Sequence, residues 1–429
     1  MMNKSAEISY AKELDSQDEL AGYRERFMIA DPELIYLDGN SLGRLPLETI
    51  DHLRDQIDNQ WGKSLIRGWN EGWYEKPTEL GARLAKLIGA APDEVVVCDT
   101  TSVNIFKLAT AALRYQAGRS DVISDEQNFP TDLYVLQGVI DLLDKSHQLK
   151  LVKSEDSITI NDEDLKGAIT ENTALVSLTQ VAFKSAYMYD IEDITRYAHD
   201  RGALVLWDLC HSVGAVPLQL SKWDVDLAVG CTYKYLNGGP GGPAFLYVKK
   251  ELQKKLHSPI WGWFADRDPF AFNLQFRPAE GISRFQISTP HILSMAAIEP
   301  ALEILLEAGI DRIREKSVKQ TEYLIYLAQE VLLPLGYRIG SPLEPSKRGS
   351  HVSLRHPEAY RICRALIDPQ PGDTTLRVIP DFRAPDNIRL GIAPLYTSFQ
   401  EIHRAADRLR VILEEEIYQR YSKEQLKVT

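Results

Sequence analysis

The chain has 429 residues, 44% hydrophobic and 26% charged, which is enough for two domains and a substantial core. A formal net charge of −12 with no basic tract argues against nucleic acid and anionic membrane as partners, so any anionic ligand must be held by a local site. The polar start MMNKSAEISYAKELDSQDEL lacks an apolar secretory core and no stretch approaches a membrane span, so a cytoplasmic protein is expected.

Four cysteines (Cys98, Cys210, Cys231, Cys363) show neither CxxC pairing nor a metal-ligand cluster. That usage suits a reducing compartment, and no metal is expected.

In chain order, short β-rich runs alternate with helical patterns. DEVVVCD precedes SVNIFKLATAAL, and TALVSLTQV precedes a polar loop and then DIEDITRYAHDRG. Gly202 stands where a glycine ends a helix, and ALVLWD then reads as a buried strand. Continuous apolar strands between amphipathic helices imply a mainly parallel sheet covered on both faces. From about residue 295 the texture changes. Two helical stretches (ILSMAAIEPALEILLEAG and IREKSVKQTEYLIYLAQEVLLPLG) lead to short strands at SHVSLRH, TTLRVIPDF and NIRLGIAP. A long helix from Ser398 closes the chain, with Ile402, Ala406, Leu409, Leu413 and Ile417 at helical spacing. The expected fold class is α/β, with a large domain over 41–297 and a smaller α+β domain over 298–429, preceded by an N-terminal arm, 1–40.

Ligands of an open parallel sheet bind outside the carboxyl ends of its strands, so the residues just past each strand are the candidates. These are Thr100, Thr101 and Ser102; Asn128 to Asp132, including Phe129, Pro130 and Thr131; Thr179; Asp208 and His211; and Thr232, Tyr233 and Lys234. Taken singly, Thr101 or Ser102 reads as a helix N-cap, Phe129 as a loop anchor and His211 as a structural histidine. Asp208 and Lys234 are harder to dismiss, because a charge near the core needs a partner.

One chemistry uses all these parts. A lysine amine forms a Schiff base with an aldehyde cofactor, and pyridoxal 5'-phosphate also needs a carboxylate at its ring nitrogen and donors for its phosphate. Asp208 fits the first need and Thr101, Ser102 and Tyr233 the second, with Phe129 stacked on the ring.

Eight motifs carry a family resemblance in order along nearly the whole chain: LDGNSLG, TSVN, NFPTD, WDLCHSVG, CTYKYLNGG, GWF, RFQISTP and IRLGIAPLY. With them the chain resembles the fold-type I, aminotransferase class V pyridoxal-phosphate enzymes, and within these the kynureninase family. The resemblance implies a seven-stranded-type sheet and a homodimer with its active site shared across the interface. It also implies hydrolysis of kynurenine at its Cβ–Cγ bond to anthranilate and alanine, in tryptophan catabolism. It makes Lys234 the Schiff-base residue, Tyr233 a general acid/base and Asp208 the ring-nitrogen partner. Thr179 and Asp132 then lie near the ring substituents, and Trp263 and Thr289 complete the phosphate pocket from the partner subunit. Arg389 is the implied clamp on the substrate carboxylate, with Ser41 beside it. The Trp69/Thr289 pair replaces histidine and asparagine found in some members, so unsubstituted kynurenine is the expected preference over its 3-hydroxy form.

Two other readings compete. A cysteine desulfurase or selenocysteine lyase shares the Asp…Lys pair but needs a mobile cysteine, and Cys363 in YRICRALID has the spacing of a core residue. Those enzymes usually carry histidine where this chain has Tyr233. A non-catalytic binding or scaffold protein is disfavoured by retention of the lysine, aspartate, tyrosine and arginine together. Tyr235 is expected to serve packing.

Overall fold

A computed structural model of the chain describes residues 7–143 and 147–424, so the outermost residues of the expected arm and small domain lie outside the described residues. Among the described residues there are thirteen short strands. In chain order they are β1 (Leu34–Tyr36), β2 (Val95–Val97), β3 (Asp121–Asp125), β4 (Gln148–Val152), β5 (Thr173–Thr179), β6 (Leu204–Asp208), β7 (Leu227–Gly230) and β8 (Phe245–Val248), followed by β9 (Arg338–Ile339), β10 (His351–Arg355), β11 (Arg377–Ile379), β12 (Asp381–Arg383) and β13 (Asn387–Gly391).

β2 to β8 form a seven-stranded sheet in the order β2-β8-β7-β6-β5-β3-β4. Its strands run parallel except β8, which is antiparallel to both β7 and β2. Successive residues of β6 show why the strands read as unbroken apolar runs. Leu204 and Leu206 pack into the core on one face, with Ile105 and Leu108 of the helix Thr101–Tyr115. Val205 and Trp207 pack into the core on the other, with Ile194 of the helix Ile191–His199. A strand that alternates its side chains between two covered faces buries all of them.

The second sheet is antiparallel, in the order β12-β13-β10-β9, and shares a core with the helices Ala359–Ile367 and Phe399–Glu414. The latter is shorter than its spacing predicts. Ser398 and Glu401 form a reciprocal cap at its start, but it stops at Glu414, and Glu416 takes a left-handed φ of 52°. Ile417 therefore enters the core from a separate short turn, so its place in the apolar periodicity does not come from one continuous helix. The stretch from Ile310 likewise stays α-helical to Leu327 and then passes through wider and tighter turns to Gly336.

The N-terminal residues do not stand apart. Ala11, Ile35 and Leu37 belong to the second core and Leu20 and Phe27 to the first, while β1 pairs in parallel with β11. The segment after β1 then crosses to the large sheet, where the Gly43 amide donates to the Tyr233 carbonyl at 2.8 Å. A Cβ on Gly43 would lie 2.4 Å from the Lys234 carbonyl oxygen, so only glycine permits this approach.

Candidate active site

The carboxyl ends of the central strands converge as the topology requires. Thr179 at the end of β5 pairs with Asp208 at the end of β6, and Asp208 pairs with Val229 of β7, whose continuation leads to Lys234. Past β7 the backbone folds tightly. The Asn237 amide donates to the Lys234 carbonyl at 2.9 Å and the Gly238 amide to the Thr232 carbonyl at 2.8 Å, with Asn237 at φ 56°. This turn points Lys234 back over the sheet edge and buries Tyr235, which joins the large-sheet core as expected of a packing residue.

A cavity of about 360 Å³ lies at this edge, within the range typical of small-molecule sites. Of the residues singled out from sequence, Ser41, Thr101, Ser102, Phe129, Thr131, Asp132, Asp208, His211, Tyr233, Lys234 and Arg389 line it. Five of the residues assigned to the site do not. Pro130 opens the helix Pro130–Leu142, where its ring fits the first turn. Thr179 is buried with its hydroxyl 3.5 Å from the Val181 carbonyl. Trp69 packs edge-on against Trp73 and tilted against Phe264, away from the cavity, and Trp263 shares that Phe264 contact. Thr289 is exposed and also outside the lining set.

At one end of the cavity stands the helix Thr101–Tyr115. Its N-cap is Thr100, one residue before Thr101 and two before Ser102, the hydroxyls expected to cap it, and the Val103 amide donates to the Thr100 hydroxyl at 3.4 Å. Thr101 and Ser102 are thereby left with hydroxyls facing the cavity at a helix start, where amides and dipole favour an anion.

At the base, Lys234 Nζ–H donates to His211 Nε2 at 3.2 Å. Burial, and then the nearby lysine, hold His211 well below the usual histidine range, so its ring is neutral. Phe129 carries its ring 37% exposed, braced at its edge by Phe183, with Lys234 Nζ 5.9 Å from its centroid. Asp208 Oδ1 accepts from the Cys210 amide at 2.8 Å. Asp132 is buried beside it, and desolvation together with the Asp208 charge pushes Asp132 well above the carboxylate range. Tyr233 is also raised, first by burial and then by Cys231, Cys210 and Asp208, so its phenol keeps its proton.

At the far end Arg389 is 1% exposed and densely partnered. It donates to Ser41 Oγ at 2.6 Å, to the Phe183 carbonyl at 2.7 Å and to the Asp381 carboxylate, with Asp38 at 3.7 Å. Its Nε has no partner. Ser41 therefore serves first as a brace for Arg389. Asn40, Cys210 and Arg383 also line the cavity and were not singled out from sequence. Asn40 lies within LDGNSLG, so its motif was visible although its placement was not. Nothing in the sequence marked Arg383, which pairs with Asp381 at 2.6 Å.

The lining fits pyridoxal 5'-phosphate. Two buried carboxyls share one pocket, and a protonated ring nitrogen against Asp208 would supply a positive partner there. An exposed aromatic face, an amine and an uncapped pair of hydroxyls at a helix start meet the other demands of that group.

The fold and this lining define an aminotransferase class V enzyme, and the family description "Aminotransferase class-V" matches residues 35–353. Within that class the chain belongs to the kynureninase family. The description "Kynureninase C-terminal domain" matches residues 313–409, and the kynureninase of Pseudomonas fluorescens is 43% identical over 94% of each chain. A kynureninase of Burkholderia mallei is 42% identical over 94% of this chain and 95% of its own. Among solved structures, a cysteine desulfurase of Thermococcus onnurineus superposes with a TM-score of 0.77 over 94% of this chain and 98% of its own, at 17% identity. One from Escherichia coli does so with a TM-score of 0.73 over 92% and 99%, at 18% identity. At such identities the likeness is one of fold. Cys363, the cysteine a desulfurase reading would use, is fully buried in the small-sheet core, and burial raises its thiol well above the usual range.

Proposed function

We propose that this chain hydrolyses L-kynurenine at its Cβ–Cγ bond, yielding anthranilate and L-alanine, with pyridoxal 5'-phosphate held by Lys234. The observation that carries this reading is the convergence of Lys234, Asp208 and Arg389 on one cavity in a chain of this family. Bound pyridoxal phosphate supplies an electron-accepting ring conjugated to the substrate α-carbon.

The protein's residues do the rest. Arg389 receives the substrate α-carboxylate through its guanidinium N–H groups, with Ser41 and Asp381 fixing its plane. Lys234 moves the proton at the α-carbon, and neutral His211 accepts its N–H bond and so fixes where Nζ points. Tyr233, protonated and at the cavity wall, donates to the γ-carbonyl oxygen as water adds to it. Breaking the Cβ–Cγ bond of the resulting hydrate releases anthranilate; the bond's electron pair stays with Cβ, which takes a proton to complete the methyl group of L-alanine. Asp208 holds the ring nitrogen. Thr101, Ser102 and Tyr233 hold the phosphate, and Phe129 covers the ring face.

We further assign the active form as a homodimer acting in the cytoplasm. Trp61, Ile66, Trp261, Phe270, Phe272 and Leu274 are at least half exposed, an apolar excess that an isolated chain would not be expected to leave in water. Trp69, Trp263 and Thr289 lie outside their own chain's cavity, which suits residues that serve a neighbour's site. All four cysteines are free and buried, which suits a reducing compartment, and among the described residues no helix is long and apolar enough to cross a membrane.

The test is to mix purified protein with kynurenine and follow anthranilate fluorescence, with Lys234→Ala as control. A protein that shows cofactor absorbance but releases no anthranilate sinks the substrate assignment.

A further inference from the structure

The helix Thr101–Tyr115 carries a lysine in its second turn that the mechanism above does not use. Lys107 is completely buried on the sheet side, and its ammonium reaches two segments at once, through three partners. It donates to Asp99 Oδ2 at 2.6 Å, to the Phe285 carbonyl at 2.7 Å and to Cys98 Sγ at 3.5 Å. Each segment leads to a residue assigned to the cofactor phosphate. Asp99, at φ 51°, forms the turn directly before Thr100, Thr101 and Ser102. Phe285 ends the short turn Gly281–Phe285, and Thr289 follows four residues later. The Asp99 turn is also tied to the start of β8, because the Ala244 amide donates to the Asp99 carbonyl at 2.9 Å.

An ammonium removed from water is a poor source of net stability, since an apolar side chain of similar volume would do as well. What it adds is direction, because its N–H bonds fix the Cys98–Asp99 turn and the Phe285 segment relative to the helix that carries the lysine. We propose that Lys107 is a positioning residue for the cofactor phosphate, setting the Asp99–Ser102 turn of its own cavity against the Phe285–Thr289 segment that serves the neighbour's. This rests on the reading that the start of this helix holds the cofactor phosphate. Lys107 touches no ligand; it acts through the two segments it joins.

The test uses the holoenzyme and reads cofactor retention. Wild type, Lys107→Met, Lys107→Arg and Asp99→Asn are passed through gel filtration, and loss of the cofactor absorbance band is timed. Lys316→Met is the control, since Lys316 is also buried and paired, with Asp18 at 2.6 Å, but lies outside the cavity lining. Lys107→Met should release cofactor about tenfold faster than wild type, a typical size for energetic coupling between sites. Lys107→Arg should recover part of the retention, and Asp99→Asn should move the same way by less. Release at the wild-type rate in Lys107→Met overturns the proposal, as does equal acceleration in Lys316→Met, which would mark a general loss of stability. If Lys107→Met does not fold, Asp99→Asn decides, and a wild-type release rate there overturns it. A wild-type protein with no cofactor band overturns the cofactor reading itself and the proposal with it.

Discussion

Nζ of Lys234 and Nε2 of His211 stand 3.2 Å apart at the floor of the cavity, with the imidazole held neutral by burial and by the lysine itself. The histidine thus acts as an acceptor that steers the amine rather than as a second positive charge beside it.

Replacing His211 by alanine should leave the cofactor absorbance in place but lower kcat by about 10²-fold, the lower end of what a misplaced acid/base group costs. Because burial disfavours the imidazolium, the kcat/KM profile of wild type should show no inflection from this histidine near pH 6.5. Its appearance, and its loss in His211→Ala, would contradict the assigned role.

Asp381 neutralises Arg389 in a pair whose side chains are 9% and 1% exposed. Asp381→Asn leaves a buried guanidinium short of its main counter-charge, and such losses cost about 3–5 kcal/mol. Thermal melts should show that destabilisation and a larger stabilisation by added kynurenine than in wild type, since its carboxylate would replace the missing charge. Equal ligand-induced shifts would place the substrate carboxylate elsewhere.

Asp38 is pushed up to about 6 by burial and by Asp381, against the opposing pull of Arg389, Ser41 and Arg383. A folded value above the unfolded one means that its contribution to stability is fully present below pH 4 and is lost as pH rises through 6. Asp38→Asn escapes that loss, so relative to wild type it should gain up to about 3 kcal/mol between pH 4 and pH 7 in denaturant titrations. A constant difference between the two proteins across that range would refute the account.

Trp69→His combined with Thr289→Asn should shift the ratio of kcat/KM values toward 3-hydroxykynurenine, because two polar side chains would replace a bulky indole and a methyl-bearing one. An unmoved ratio would confine Trp69 to its contacts with Trp73 and Phe264.

Phe272 is 74% exposed and Leu274 wholly so. Phe272→Glu should convert the chain to monomers in light scattering and reduce activity in parallel, as a shared site demands. A fully active monomer would overturn both parts of that reading.

The parts of this site that follow strand ends were legible in the sequence, because a parallel sheet puts its ligands there and Asp208 and Lys234 could be counted off from apolar runs. The capping residue, read as Thr101 or Ser102, is Thr100, since the three offer the same chemistry and only the backbone decides among them. Asn40 reaches the cavity by long-range packing against Gly391 of β13, whereas Arg383 ends the three-residue strand β12 beside its partner Asp381, and periodicity carries no signal for either. The helix reading through Ile417 failed for a related reason: a buried residue keeps its spacing even when Glu416 breaks the helix before it.

The pairing of β1 with β11 has a consequence for how the chain comes into being. Leu34 is made long before its partner Arg377, and Asp15 waits longer still for the amides of Phe399 and Gln400. The large sheet is complete by Val248 and is free to form during synthesis, whereas the small-sheet core closes only once β13 and the helix Phe399–Glu414 have been made. Until then Arg389 has no fixed place, so the nascent chain would assemble the Asp208 and Lys234 end of the cavity before the Arg389 end.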